Sequence, residues 1–190
     1  MLGLGNLSIN LFSLVNYPLL LQIFLFLLWF FFLKKFFRLN NKNSLFALIL
    51  GILSWIALIL SYMLHIFLFS FFYNYNIIVL LEEIVKIIPC VLYIKKYNFN
   101  LRDSIGFGSL VALGFSFIEN ISYLSTIEGA LFRGTISSLS HIIFTIISVY
   151  GVWISIRYKK QKWVLYLFLS FFLHWVYNFI ITIYNNFKLS

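Results

Sequence analysis

Six apolar runs follow one another along the chain, at 11–33, 45–72, 77–94, 104–127, 135–156 and 163–184. Each is close to the roughly 20 residues that a helix needs to cross the hydrocarbon core of a bilayer. No soluble domain can bury six such segments. Only 10% of the 190 residues are charged and 63% are hydrophobic, against about 25% and roughly 45–50% in ordinary soluble domains, and the mean hydropathy is +0.99. The expectation is an all-α fold, a polytopic membrane helix bundle of about six transmembrane helices, with residues 1–190 forming a single integral membrane domain. The lone Cys90 has no partner for an internal disulfide, and no cysteine or histidine spacing suggests a zinc finger or a haem attachment site.

The net charge of +9 would raise the question of nucleic acid in a soluble protein; the placement of the charges answers it. Lys34, Lys35, Arg38 and Lys42 fall in one break between apolar runs, Lys95, Lys96 and Arg102 in a second, and Arg157, Lys159, Lys160 and Lys162 in a third. The intervening breaks are nearly free of basic residues. Under the positive-inside rule this alternation makes the three basic loops cytoplasmic and both termini extracytoplasmic, and it excludes a nucleic-acid partner as the reason for the charge. The first run has no basic segment before it and no small-residue cleavage pattern after it, so it is expected to remain as an anchor. Pro18 lies early in the first run, where a helix tolerates it; Pro89 lies inside the third and should kink it or free a carbonyl.

Three of the five acidic residues, Glu82, Glu83 and Glu119, sit inside apolar runs. An ionisable side chain near the middle of a spanning helix costs about 2.5–3.5 kcal/mol on insertion scales, and it usually faces a bundle interior or a water-filled cavity. Lys86 stands at i+4 from Glu82 and i+3 from Glu83, so one helix face can hold a carboxylate and its counter-ion. An ion pair alone would explain those residues. It leaves unexplained Glu119 and Asn120 in the fourth run, His141 in the fifth, and His174 with Asn178 in the sixth. Gly108, Ala112, Ser116 and Glu119 form a small or polar stripe, as do Ser137, His141 and Thr145; Ser170, His174, Asn178 and Thr182 recur every four residues and so share a face. With a rise of about 1.5 Å per residue, the carboxylates and imidazoles fall about 8–15 Å below the outer ends of their spans. One cavity open to the outer surface could hold them all. His65, with only Ser54 and Ser61 as polar company, reads as an interfacial or packing residue.

The order Glu82-Glu83-x-x-Lys86, Phe115-x-x-x-Glu119-Asn120, an isolated His141, then His174-x-x-x-Asn178 resembles the PrsW family of membrane proteases, related to the CAAX prenyl endoproteases and bacteriocin-processing enzymes. The resemblance places a protease core at about 77–184. It implies an enzyme that hydrolyses a peptide bond within or beside the membrane of a bacterial cell, in a membrane-anchored protein or peptide such as an anti-sigma factor. Glutamate-activated water is the implied chemistry, with Glu82 as base and Glu83 as the alternative or as the partner of Lys86. In a metal-free version Glu119 and His141 orient the water while His174 and Asn178 stabilise the oxyanion. In a metal version Glu119, His141 and His174 form a His2Glu set for zinc, although no HExxH pattern supports it. Lys86 and Asn120 play supporting parts.

Two rivals of other classes remain. A small ion- or proton-coupled transporter also uses intramembrane carboxylates and histidines, but the polar groups cluster in one half of the membrane, and runs one to three do not mirror four to six as inverted repeats would. A non-catalytic membrane partner or immunity protein would have no need of an intact Glu/Glu/His/His set.

Overall fold

A computed structural model describes the backbone of residues 5–68, 75–124 and 126–189, and the side chains of 17–64, 66–67, 76–124 and 126–184. The side chain of His65 lies outside that set. The elements are α1 (Gly5–Phe37), α2 (Asn41–Leu68), α3 (Tyr75–Tyr97), α4 (Leu101–Ser122), the short α5 (Ile127–Phe132), α6 (Ser138–Tyr158) and α7 (Trp163–Leu189). Between α5 and α6 the backbone winds through a π-helical turn, Arg133–Ser137, so that Ile127–Tyr158 forms one continuous rod. The described residues therefore form a bundle of six long helical rods. Five of them are long and apolar enough to cross a membrane; the remaining one, α3, carries Glu82, Glu83 and Lys86 in its first half.

Two boundaries depart from the apolar runs. The fourth run continues to 127, yet α4 ends at Ser122, and a new helix begins where the Thr126 hydroxyl accepts from the Gly129 amide at 3.0 Å. Hydropathy cannot register that stop, because a cap is a matter of one side chain's hydrogen bond. In the first run, α1 already begins at Gly5, so Pro18 lies in its interior rather than early in the helix. Pro89 likewise lies within α3, which continues through it to Tyr97. The three basic breaks are tight turns. Arg38, Asn98 and Lys159 each take a positive φ, the left-handed conformation that ends a helix and reverses the chain.

The post around which the bundle is built is α4. Of its apolar window 72% is buried, against 11% for α1 and for α7. Its small residues make that possible, since lipid supplies no hydrophobic drive between helices and close van der Waals approach must do so instead. A methyl group at Gly114 would overlap the Leu48 carbonyl of α2, and one at Gly51 of α2 would overlap the Val111 carbonyl of α4. The two backbones are thus in contact through a pair of glycines. Below that contact Phe107, Leu110, Val111 and Leu113 are fully buried with Ala47, Cys90, Ile94 and Val149. Serine hydroxyls turn back onto their own helices, Ser54 to the Leu50 carbonyl and Ser109 to that of Ile105, both at 2.8 Å, so neither of these hydroxyls is left unpaired.

Candidate active site

At the end of the bundle opposite the three basic turns, α3, α4, α6 and α7 each direct ionisable side chains inward. Glu83 and Lys86 lie one turn apart on α3, 1% and 0% exposed, with Lys86 Nζ 2.5 Å from Glu83 Oε1. The same carboxylate oxygen accepts from His174 Nδ1 at 2.8 Å, and its partner Oε2 accepts from the Ser170 hydroxyl at 2.6 Å. A carboxylate only accepts, so the His174 ring proton sits on Nδ1 and the Nε2 lone pair is left facing the cluster. Phe144 stacks on the His174 ring with centroids 5.2 Å apart, and Phe115 lies 5.1 Å beneath Lys86 Nζ.

His141 of α6 stands edge-on to His174 with centroids 5.0 Å apart. Its Nδ1 lies 3.3 Å from Lys86 Nζ, and its Nε2 lies 2.9 Å from Glu119 Oε2 of α4. The His174 Nε2 lies 3.5 Å from Glu82 Oε2. Two imidazole nitrogens are thus each opposed by one carboxylate oxygen. Glu82 Oε2 and Glu119 Oε2 are buried, and neither accepts an aligned hydrogen bond. Such oxygens cost free energy unless a cation or a donor meets them.

Glu82, His141 and His174 can each offer a donor atom within 4.8 Å of the others. Two imidazoles and a carboxylate suit zinc, and the unsatisfied Glu82 oxygen beside the bare Nε2 of His174 is an arrangement a divalent cation would complete. The hydrogen bond from His174 Nδ1 to Glu83 is the outer contact that fixes a ligating imidazole.

Of the residues expected from sequence, Glu82, Glu83, Lys86, Glu119, His141 and His174 converge. The compact donor group and the expected ligand set differ in one member. The compact group holds Glu82, where Glu119 had been expected, and Glu119 meets the group through His141. Glu82 of α3 and Glu119 of α4 are both glutamates on consecutive rods of the bundle, so only side-chain direction separates them. Asn120 lies apart from the cluster and braces the π-helical turn, its amide donating to the Arg133 carbonyl at 2.9 Å and to the Ser138 hydroxyl at 3.0 Å. Asn178 makes no hydrogen bond with the cluster among the described residues; the Thr182 hydroxyl donates to its carbonyl at 2.9 Å.

Sequence reasoning passed over Tyr177. Its hydroxyl is buried beside Ser137 and Ser140 without an aligned hydrogen bond, and its ring lies 6.1 Å from that of Phe144. The available signal was its position three residues after His174, on nearly the same helix face. Twelve tyrosines in the chain obscured it.

The sequence pattern described as PrsW family intramembrane metalloprotease matches residues 41–189. Protease PrsW of Oceanobacillus iheyensis is 39% identical over 119 residues, which cover 59% of this chain and 55% of that relative. The match thus spans a little over half of the relative's length. No solved structure matches. A match over 41–189 takes in α2 to α7 and every side chain of the cluster, and the chain belongs to the PrsW family of intramembrane metalloproteases.

Proposed function

We propose that the protein is a membrane endopeptidase that cleaves a membrane-anchored protein, with Glu82, His141 and His174 holding a divalent metal, zinc by donor type, and Glu119 acting as general base. The observation that carries this reading is the pair of buried carboxylate oxygens, Glu82 Oε2 and Glu119 Oε2, each set against an imidazole Nε2 without an aligned hydrogen bond. Family membership supplies the reaction class. A metal bound there would polarise the scissile carbonyl and lower the pKa of water.

The remaining work belongs to the chain. Glu119, with its side chain 19% exposed against 12% for Glu82, is the carboxylate more open to incoming water, and it takes the proton that water loses on attacking the carbonyl carbon. The same proton passes to the amide nitrogen as the C–N bond breaks, leaving a carboxylate and an amine. Glu83 keeps His174 in one tautomer and one orientation, and Lys86 balances its charge. Tyr177, whose hydroxyl is buried beside Ser137 and Ser140, would donate to the carbonyl oxygen. This assignment exchanges the two roles that the sequence suggested for Glu82 and Glu119. A membrane-anchored anti-sigma factor is the substrate class that the family resemblance suggests, and the basic turns would place the site toward the extracytoplasmic side.

Metal content and cleavage together test the reading. Purified Glu82→Gln should lose both bound zinc and cleavage of a membrane substrate, whereas Glu119→Gln should keep zinc and lose cleavage. Full cleavage by either variant, or by protein stripped of metal, would overturn it.

A further inference from the structure

The opposite end of the bundle holds a second concavity that the protease reading does not use. A cavity of about 570 Å³ opens between the end of α3 and the α6–α7 turn, where Lys95, Lys159 and Lys160 line it with Ser155 and Gln161. A second cavity of about 500 Å³ adjoins it, walled by Ile84, Ile88, Leu92 and Leu167 with no exposed polar surface. Val91, Val152 and Trp163 line both, so a cationic mouth continues into an apolar slot that runs along α3 and α7.

Three features suit one kind of occupant. None of the five acidic residues of the chain lines either cavity, and none of the ion pairs among the described residues involves the three lysines. The mouth is also built. Lys159 is held at φ 53, and the Ser155 hydroxyl accepts from the amides of Lys162 at 3.1 Å and Trp163 at 2.8 Å, which fixes the turn that carries Lys159 and Lys160. Finally, the lysines stand at helix ends beside Trp163 and Tyr158, at the level where headgroups meet hydrocarbon.

We propose that this groove binds an anionic phospholipid of the surrounding leaflet, with its phosphate among Lys95, Lys159 and Lys160 and an acyl chain along Ile84, Ile88 and Leu167. A free phosphate ester would satisfy the lysines and leave the slot unfilled. A zwitterionic lipid would fill the slot but bring its own cation to the mouth. Basic pockets between spanning helices recognise anionic headgroups by this combination of charge and apolar depth.

Native mass spectrometry of the full chain, titrated with phosphatidylglycerol or with phosphatidylcholine, tests the proposal. The triple variant Lys95→Gln/Lys159→Gln/Lys160→Gln should bind phosphatidylglycerol about tenfold more weakly or worse, with phosphatidylcholine binding unchanged. Lys34→Gln/Lys35→Gln/Arg38→Gln removes the same charge at the same end of the bundle and should lose little. Ile88→Trp, which narrows the slot without altering charge, should also weaken binding. Equal losses in the two triple variants would mean diffuse surface charge and overturn the site. So would equal affinity for the two lipids, or displacement of the lipid by glycerol phosphate alone. Melting of each variant in phosphatidylcholine confirms that it is folded.

Discussion

Glu83 and Lys86 show how a membrane interior can hold full charges. A lysine and a glutamate enclosed at 0% and 1% exposure stand only because each is paired, and removing one partner from such a pair typically costs about 3–5 kcal/mol. The glutamate has both oxygens engaged, by Lys86, His174 and Ser170. On the proposed reading its part is to position His174. Ser170→Ala should therefore weaken zinc affinity about tenfold, read by competition with a chelator, while the fold persists. Tyr177 packs against Phe144, whose ring stacks on His174. If its hydroxyl donates to the reacting carbonyl, Tyr177→Phe should lower kcat by about tenfold, the worth of one such hydrogen bond. Its KM and zinc content should be unchanged; a fall in zinc content would show a packing role instead.

Among the elements, the π-helical turn at Arg133–Ser137 does what a regular helix could not. An inserted residue frees carbonyls and rotates the helix that follows, and α6 begins at Ser138 with His141 on its first turn. The freed groups are met from three sides. Asn120 of α4 and Ser138 itself donate to the Arg133 carbonyl, and Trp29 of α1 donates to that of Gly134 at 3.0 Å. Asn120 is thus a structural member of the site. Asn120→Ala should destabilise the protein by about 1–3 kcal/mol and lower activity through displacement of His141, measured as a reduced melting temperature together with reduced zinc content. From sequence alone the motif Glu119-Asn120 reads as two neighbouring residues of one site, the second in a supporting part. The 3.6-residue period separates them by about 100°, and it sends one to the cluster and the other to the turn.

For the whole molecule, the charges divide the bundle into two ends. Eleven basic residues gather at the turns closed by Arg38, Asn98 and Lys159, and the carboxylate–imidazole cluster occupies the other end. The positive-inside rule predicts that the basic end is cytoplasmic. A membrane-impermeant thiol reagent applied to intact cells should label Glu128→Cys and leave Lys42→Cys and Lys160→Cys unlabelled until the cells are opened. The native Cys90, fully buried, should give no background. Labelling in the reverse pattern would invert the orientation and place the cluster toward the cytoplasm.

Helical bundle, number of rods and two-ended charge distribution follow from the sequence by itself. Lipid offers no hydrogen bonds to a free backbone, so long apolar runs become helices whatever their neighbours do. The convergence of Glu82, Glu83, Glu119, His141 and His174 was legible for a related reason, since the cost of burying ionisable groups leaves them few places to go. Which oxygen meets which nitrogen was not legible. Only the tertiary structure decided that Glu82 completes the compact donor set, that Ser170 rather than Asn178 joins the network, and that α4 stops at Ser122. Those outcomes depend on the relative rotation of four helices, set by glycine contacts and a π-helical turn, and on hydrogen bonds of single side chains. A pattern of polar residues along one helix carries no information about either.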